Sequence, residues 1–191
     1  MLTMDFIDGS YPDFIHRLDD FLELVPSGHA KCSKNDILFL YSIIYSKKPE
    51  NVLEIGRSYG TSTLTICGAL TDNNKGKLYS IDVENLLPKD IANIIDKRTQ
   101  LITNSSEYLL DEINDVKFGV TFIDGDHSYE MAKNDIIKSM TLSEDEAIIL
   151  CHDSDMLGVQ QAINEVCGMY PTSLLNCGVF GEKIQMLIVR K

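Results

Sequence analysis

Basic residues are scarce in this chain of 191 residues: Lys and Arg together number 17, against 29 Asp and Glu, so the formal net charge is −12. The basic residues are also scattered, and the adjacent ones, Lys47-Lys48 and Lys97-Arg98, form no more than pairs. A chain this acidic repels a phosphate backbone and an anionic lipid surface. The composition therefore argues against nucleic acid and membrane as partners and favours a small-molecule substrate.

Long apolar runs are missing as well. The longest one, residues 37–45, is interrupted by Ser42 and is far too short to span a bilayer. The first nine residues carry Asp5 and Asp8, with neither the basic region nor the apolar core of a signal peptide. From these features we expect a cytoplasmic protein.

The cysteines show no pairing pattern. Their number, five, is odd, they are widely spread, and none belongs to a C-x-x-C motif. Disulfide frameworks and zinc sites normally use paired spacings, so the pattern predicts reduced and mostly buried thiols.

The length fits one main domain, which we place at residues 33–191, preceded by a helical segment at residues 1–32. Phe14, Leu18 and Phe21 recur in that segment at helical spacing. Ser33, with Asp36 three residues later, forms a capping-box pattern that predicts the start of the next helix.

From residue 50 onward, buried strands and helices alternate. The pattern predicts parallel strands at 51–55, 77–81, 100–103, 118–123 and 147–151, and helices at about 61–70, 91–96, 104–113, 129–140 and 157–169. Two last strands, at about 173–179 and 184–189, are typical of an antiparallel hairpin. The predicted fold is α/β: a doubly wound, Rossmann-like, mostly parallel seven-stranded sheet with a C-terminal antiparallel hairpin.

Acidic or polar residues end the five predicted parallel strands. In open sheets of this kind, ligands bind beyond the carboxyl ends of the strands, near the point where the strand order reverses. We therefore expect these side chains to face one crevice: Glu54, Asp82, Asn104, Asp124 and Asp153.

The turn after the first strand limits the choice of ligand. A dinucleotide-binding fingerprint needs glycines where Ser58 and Thr61 stand, which weakens the case for a nicotinamide-dependent oxidoreductase. A phosphate-binding P-loop needs Gly-Lys-Ser/Thr, and the turn contains no lysine. What remains is Glu-x-Gly-x-x-x-Gly-x-Ser, followed by Asp82 at the end of the next strand.

This turn resembles the first motif of class I S-adenosylmethionine-dependent methyltransferases. Asp82 matches the acid with which those enzymes hold the two ribose hydroxyls, a task that suits a carboxylate because it accepts both protons. The resemblance implies S-adenosylmethionine as cofactor. It also implies cofactor contacts from the following residues: Glu54, Gly56, Arg57, Ser58, Gly60, Thr61, Ser62, Asp82, Ser105 and Asp124.

The segments 122–130 and 151–154, together with 158–163, resemble small-molecule O-methyltransferases. This branch is close to the macrolide-sugar and cephalosporin-type enzymes and more distantly akin to the catechol and caffeoyl-CoA type, and the similarity spans roughly residues 33–191. In metal-dependent relatives, an Asp after the fourth strand and an Asp after the fifth bind Mg²⁺ or a similar ion. The corresponding residues are Asp124 and Asp153. Catechol-type enzymes have Asn after the second Asp, whereas this chain has Ser154, so a third ligand is not identified.

Relatives often use the N-terminal segment as a lid or a dimer contact. The resemblance therefore implies one of these roles for residues 1–32 and makes a homodimer an expectation.

His127 and His152 are the candidate general bases. Methyl transfer to a hydroxyl needs a group that takes the hydroxyl proton, and imidazole titrates near working pH. We prefer His127, which falls beside the position where catechol-type relatives carry a lysine. For His152, the roles of metal ligand and of orienting group stay open.

Purely structural roles are the alternative for part of this region. Asp124, Asp126 and Ser128 precede a predicted helix and would stabilise its N-terminus without any catalytic role. The chain also fits a catalytically silent, methyltransferase-like module that binds the cofactor or a partner. The methyl acceptor is not predicted by the sequence.

Overall fold

The protein is described by a computed structural model that covers residues 13–26, 32–177 and 183–190. Its α-helices are α1 (Asp13–His16), α2 (Leu18–Glu23), α3 (Lys34–Lys47), α4 (Thr61–Asp72), α5 (Lys89–Ile95), α6 (Leu109–Glu112), α7 (Tyr129–Leu142) and α8 (Leu157–Met169). Its strands are β1 (Asn51–Ile55), β2 (Lys77–Asp82), β3 (Thr99–Thr103), β4 (Phe118–Ile123), β5 (Ser143–Cys151), β6 (Thr172–Asn176) and β7 (Gln185–Val189). Short 3₁₀ turns occupy Asp96–Arg98 and Ser106–Tyr108.

The strands form one seven-stranded sheet in the order β3-β2-β1-β4-β5-β7-β6. Strands β1 to β5 pair in parallel, and β7 pairs antiparallel with both β5 and β6. The predicted fold class is therefore confirmed. The strand order reverses between β1 and β4, so a ligand crevice is expected beyond the carboxyl ends of these two strands.

Two apolar clusters, one on each face of the sheet, account for the burial of the strands. Phe14, Leu40 and Leu64 belong to the cluster under α1 to α4, while Ile136 and Ile163 belong to the cluster under α7 and α8. Every residue of β4 is buried, as expected for a central strand covered on both sides.

The described part of the N-terminal segment packs into the first of these clusters. The Phe14 ring stacks on Phe21, with centroids 5.3 Å apart, and on Tyr41, with centroids 5.7 Å apart. A Cβ on Gly68 of α4 would lie 2.3 Å from the Phe14 ring, so glycine makes room for it. The buried apolar residues of this segment, Phe14, Leu18, Phe21 and Val25, thus belong to the core of the main domain. The proposed role as lid or dimer contact stays a prediction, and residues 1–12 and 27–31 lie outside the described ranges.

The observed ends of several helices and strands can be compared with the predicted ones. The capping box of α3 is confirmed, because Ser33 Oγ accepts the Asp36 N–H and the Asp36 carboxylate accepts the Ser33 N–H. The helix predicted at 104–113 is instead a 3₁₀ turn followed by the short α6, and Ser105 provides the N-terminal cap of the 3₁₀ turn. The turn of the predicted C-terminal hairpin lies outside the described residues.

Strand β5 starts at Ser143, four residues earlier than the predicted residue 147. A register shift in its pairing with β4 accommodates the extra residues, and charged, exposed side chains at 144–146 hid this strand from an apolar pattern. No helix within the described ranges combines the length and the apolar composition needed to cross a bilayer.

Candidate functional site

The turn between β1 and α4 lies directly against the loop after β4. Gly56 has a φ of +86°, and a Cβ at this position would lie 2.1 Å from the carbonyl oxygen of Asp124. The Asp124 N–H donates to the Ile55 carbonyl at 2.8 Å, which extends the β1–β4 pairing by one residue. Glycine is therefore required at position 56 both for its backbone conformation and for contact between the two loops.

Asp82, at the end of β2, holds this turn in place. Its Oδ2 accepts the backbone N–H groups of Arg57 and Ser58, each at 2.9 Å, and its Oδ1 accepts that of Glu84 at 3.0 Å. The side chain is half-buried, and a carboxylate has about four acceptor positions. Asp82 therefore lies at the predicted place with acceptor capacity left for a ligand.

The N-terminus of α4 faces the same crevice. Gly60, with a φ of +92°, is the N-cap residue, and no side chain of the described residues caps the helix there. The first turn of a helix carries N–H groups without intrahelical partners and the positive end of the helix dipole, which together favour an anionic group. Thr61 and Ser62 occupy this first turn, and both side chains are buried.

Glu54 does not face the crevice, which corrects the expectation that all five strand ends do. Its side chain is completely buried and accepts hydrogen bonds from Ser62 Oγ at 2.6 Å, Thr63 Oγ1 at 2.8 Å and Ser80 Oγ at 2.6 Å. Burial raises the pKa of Glu54 to about 7, although the three hydroxyls act in the opposite direction. Glu54 pairs with Ser80 inside the sheet, two residues before the level of Asp82, and at this level α4 covers its side chain.

The side chain of Arg57 also points into the protein interior and not into the crevice. It is 1% exposed, and its guanidinium donates to the carbonyls of Ser80 at 2.9 Å and Ile102 at 2.8 Å, and to Thr103 Oγ1 at 3.2 Å. The side chains of Glu54, Arg57 and Ser62 thus brace the turn from beneath. A direct contact with a cofactor is left to the backbone of these residues.

Two further predicted contact residues lie beside the turn. Ser58 is exposed and adopts a left-handed φ of +46°. Ser105 follows β3, next to β2, and its Oγ accepts the Glu107 N–H at 3.2 Å. The hydroxyl of Ser105 therefore already has a role as a helix cap.

Two carboxylates and two imidazoles meet at the ends of β4 and β5. His152 Nδ1 lies 3.3 Å from Asp124 Oδ1 and 3.3 Å from Asp153 Oδ2. His127 Nε2 lies 3.6 Å from the same Asp124 oxygen and 3.4 Å from the same Asp153 oxygen. We call these four residues the central cluster. The structure brings together all the residues that the sequence predicted for catalysis and metal binding.

The backbone around the cluster is closely constrained. A Cβ on Gly158, in the first turn of α8, would lie 2.4 Å from the carbonyl oxygen of His127, so glycine lets the His127 loop rest on this helix. Asp153 adopts a left-handed φ of +47°, a conformation that costs about 1–3 kcal/mol and is concentrated at functional sites. Asp126 Oδ1 accepts the Ser128 N–H at 2.7 Å in the turn before α7, and no side chain of the described residues caps this helix at its N-cap residue, Ser128.

The charges in the cluster are strongly coupled. Burial favours the neutral acid at Asp124, but the two imidazoles outweigh it and hold the pKa of Asp124 well below its usual range. Burial also opposes the charged form of His152, yet the nearby carboxylates raise the pKa of His152 to about 9. Contact with Asp124 raises the pKa of His127. In the absence of a bound cation, the imidazoles therefore supply the positive charge that the carboxylates attract.

Three residues that sequence reasoning missed also reach this cluster. Asp36 Oδ2 lies 3.4 Å from His152 Nε2, Cys32 Sγ lies 4.0 Å from Asp124 Oδ2, and Lys183 Nζ lies 3.2 Å from Asp153 Oδ1. The capping box was the only signal at Asp36, and it concerns the helix rather than the site. These residues come from the start of α3 and the approach to β7, so only the folded chain places them here.

A profile of a family described as a methyltransferase domain matches residues 53–154, more than half of the chain. The matched region contains both the Gly56 turn and the central cluster. No curated protein matches the chain.

Solved structures share the fold over nearly the whole chain. A protein from Klebsiella pneumoniae described as an O-methyltransferase has a TM-score of 0.70 at 19% identity, covering 95% of this chain and 91% of that one. An O-methyltransferase from Bacillus cereus, solved with S-adenosylhomocysteine, has a TM-score of 0.63 at 17% identity, covering 98% and 92%. The O-methyltransferase TomG from Streptomyces achromogenes, involved in tomaymycin synthesis and solved with S-adenosylmethionine, has a TM-score of 0.66 at 16% identity, covering 100% and 93%.

Proposed function

Because the chain is an enzyme of the methyltransferase-domain family, we propose that it transfers a methyl group from S-adenosylmethionine to a hydroxyl of a small molecule, with the help of a divalent cation. The observation that carries this proposal is the contact between two loops. Gly56 lies so close to Asp124 that a Cβ would approach its carbonyl to 2.1 Å. A methyl donor on the Gly56 turn would therefore be next to an acceptor held at the central cluster.

The residues around the turn fit the proposed cofactor. The N-terminus of α4, which no side chain of the described residues caps, suits its carboxylate, the Gly56 backbone permits close approach, and Asp82 keeps one acceptor position for a ribose hydroxyl. When bound, S-adenosylmethionine supplies a methyl group on a sulfonium, and the electrons of the broken C–S bond stay on sulfur. The protein's remaining tasks are to align the acceptor and to remove its proton.

Asp124 and Asp153 are the residues that we propose to hold the cation. The central cluster fits such a group because the buried His152 Nδ1 has no hydrogen-bond partner among the described residues, although it faces both carboxylates. A bound divalent cation supplies positive charge that lowers the pKa of a nearby hydroxyl. The resemblance to metal-dependent relatives makes Mg²⁺ the first expectation for this ion.

His127 is our candidate for the general base. Its side chain is 32% exposed, compared with 8% for His152, so His127 lies nearer to solvent, although its Nε2 is itself buried among the carboxylates. Its Nε2 faces Asp124 and Asp153, close to where we place the acceptor hydroxyl. The proton would pass from the hydroxyl to this nitrogen as the new C–O bond forms.

The acidic composition supports a small acceptor rather than nucleic acid. The second candidate function is a catalytically silent module that binds the cofactor or a partner. The contacts of Glu54, Arg57 and Asp82 support this function as well as they support methyl transfer. They stabilise the turn that we propose to bind the cofactor, and a module without any methyl acceptor needs that turn too. An intact central cluster distinguishes the two, since a silent module has no need of it.

Isothermal titration with S-adenosylhomocysteine tests the proposal. We expect the wild-type chain to bind it, and Asp82→Ala to weaken binding at least about 30-fold, or roughly 2 kcal/mol. The matched control is Asp90→Ala, an exposed acid on α5, which should bind like wild type. If the wild type does not bind, the proposal fails. If it binds but no acceptor from a broad panel is methylated, the silent module is favoured.

A further inference from the structure

We infer that His152 is the third protein ligand of a metal site formed with Asp124 and Asp153, and that this site prefers a divalent transition ion to Mg²⁺. The inference deepens the proposed function by naming the class of ion at the same site. It rests on the position of one buried imidazole rather than on the acidic residues alone.

The ligand atoms have the spacing of a shared ion. Asp124, His152 and Asp153 each offer one atom, and these atoms all lie within 4.8 Å of one another. His152 Nδ1 lies 3.3 Å from an oxygen of each carboxylate. Two ligands about 2.1 Å from one ion, at a tetrahedral angle, are separated by about 3.4 Å.

The imidazole of His152 is buried, with 7% of the residue exposed, and neither Nδ1 nor Nε2 has a hydrogen-bond partner in the described part of the chain. Leaving a buried polar atom without a partner costs about 1–3 kcal/mol, so a group that satisfies Nδ1 stabilises the fold. A metal ion in reach of both carboxylates does so.

The other atoms of the ligands are already held. Asp153 turns Oδ1 toward Lys183 Nζ, at 3.2 Å, and Asp124 turns Oδ2 toward Cys32 Sγ, at 4.0 Å. Each carboxylate therefore points its remaining oxygen at His152. On the far side of the imidazole, Nε2 lies 3.4 Å from Asp36 Oδ2; the contact lacks hydrogen-bond geometry, but it is on the side from which a carboxylate can orient a metal-bound histidine.

The donor set decides the class of ion. Mg²⁺ takes oxygen ligands almost exclusively and keeps several waters, whereas an imidazole nitrogen suits first-row transition ions. Two carboxylates and one imidazole, with room for an acceptor, therefore favour an ion such as Mn²⁺, Fe²⁺, Co²⁺ or Zn²⁺. The rival arrangement is metal-free, with a protonated His152 bridging Asp36, Asp124 and Asp153.

The test uses the full-length protein, stripped of metal with a chelator, and Mn²⁺ and Mg²⁺ as probes. Calorimetry should give a Kd for Mn²⁺ at least about 100-fold below that for Mg²⁺. Pulsed electron paramagnetic resonance of bound Mn²⁺ should show coupling to a ¹⁴N nucleus. In His152→Asn, which offers an amide oxygen near the position of Nδ1, we expect the nitrogen coupling to disappear and the Mn²⁺ preference to fall at least tenfold.

His127→Asn is the matched control and should keep the nitrogen coupling, because His152 is still present. Circular dichroism and thermal unfolding check that both variants fold. Absence of Mn²⁺ binding overturns the inference, as does Mn²⁺ binding without ¹⁴N coupling or with coupling that survives in His152→Asn. Titration of S-adenosylhomocysteine into the same samples distinguishes failure of this inference from failure of the proposed function. Binding of S-adenosylhomocysteine without metal affinity contradicts only this inference. Metal affinity without binding of S-adenosylhomocysteine contradicts the proposed function.

Discussion

Glu54 and Asp124 are acids at the carboxyl ends of the adjacent strands β1 and β4, yet their surroundings differ completely. Glu54 is fully buried, and three hydroxyl groups donate to it. Asp124 is 24% exposed and faces imidazole nitrogens that have no hydrogen-bond partners within the described ranges. The first acid is satisfied by the protein itself, whereas the second belongs to a group with binding capacity left over.

This difference shows that a place at the end of a strand does not give an acid its role. A buried group whose hydrogen bonds are complete stabilises the fold and has nothing to offer a ligand. A group whose partners remain incomplete is a candidate for binding or catalysis. Substitutions of the two kinds of acid should therefore have different effects. Glu54 variants should lose stability, whereas variants of the central cluster should lose ligand binding and turnover.

The largest expected effect is on stability. Glu54→Ala leaves the hydroxyls of Ser62, Thr63 and Ser80 without their acceptor and opens a cavity, so we expect the free energy of unfolding to fall by about 4 kcal/mol. Glu54→Gln keeps the size of the side chain and one acceptor oxygen, so its free energy of unfolding should fall by less than half as much as that of Glu54→Ala. Urea titration measures both, and a loss below about 1 kcal/mol for the alanine variant would contradict a bracing role.

Stability should also depend on pH through Glu54. Burial raises its pKa from 4.5 to about 7, so between these values the folded state holds a proton that the unfolded state has released. The contribution of Glu54 to stability therefore falls as pH rises from about 4.5 to about 7, by on the order of 3 kcal/mol, and is then constant. Unfolding curves at several pH values should show this fall in wild type and a smaller one in Glu54→Gln. Parallel pH profiles would refute the assignment.

Asp153→Asn should act mainly on turnover. Removing one carboxylate from the central cluster is expected to reduce methyl transfer about 100-fold, equivalent to about 3 kcal/mol of transition-state stabilisation, with little change in thermal stability. S-adenosylhomocysteine release measures the rate, with the best acceptor from a panel of small hydroxylated molecules. The exposed Asp155, two residues along, gives the matched control Asp155→Asn. Equal rates in the two variants would remove Asp153 from the site.

The last comparison is between two glycines, and the second of them gives the smallest effect. Gly56→Ala strains a left-handed backbone and pushes the Asp124 loop away, so we expect a loss of at least about 2 kcal/mol and weaker S-adenosylhomocysteine binding. Gly168→Ala, in α8, meets no atom within 4 Å and should stabilise the protein by about 0.5–1 kcal/mol. Thermal unfolding and calorimetry measure both changes. Wild-type affinity in Gly56→Ala would mean that the two loops are not coupled.

The parallel strands could be located from the sequence because each is a short apolar run between turn residues. The side-chain directions at their ends could not. Glu54 lies one residue before the end of β1 and pairs with Ser80, where hydroxyls from α4 and β2 enclose it, whereas Asp82 is the last residue of β2 and stays half-buried. Asp36, Cys32 and Lys183 reach the central cluster from far away in the sequence, as the 92-residue separation of Cys32 from Asp124 shows. No local spacing encodes such contacts.

The central claim is that the Gly56 turn and the central cluster form one continuous site. A crystal structure of the protein with S-adenosylhomocysteine and Mn²⁺ tests it most directly. We expect the cofactor product between the Gly56 turn and Asp82, with an anomalous manganese peak within ligand distance of Asp124, His152 and Asp153 beside its sulfur. S-adenosylhomocysteine bound elsewhere, or a manganese peak remote from its sulfur, would contradict the account.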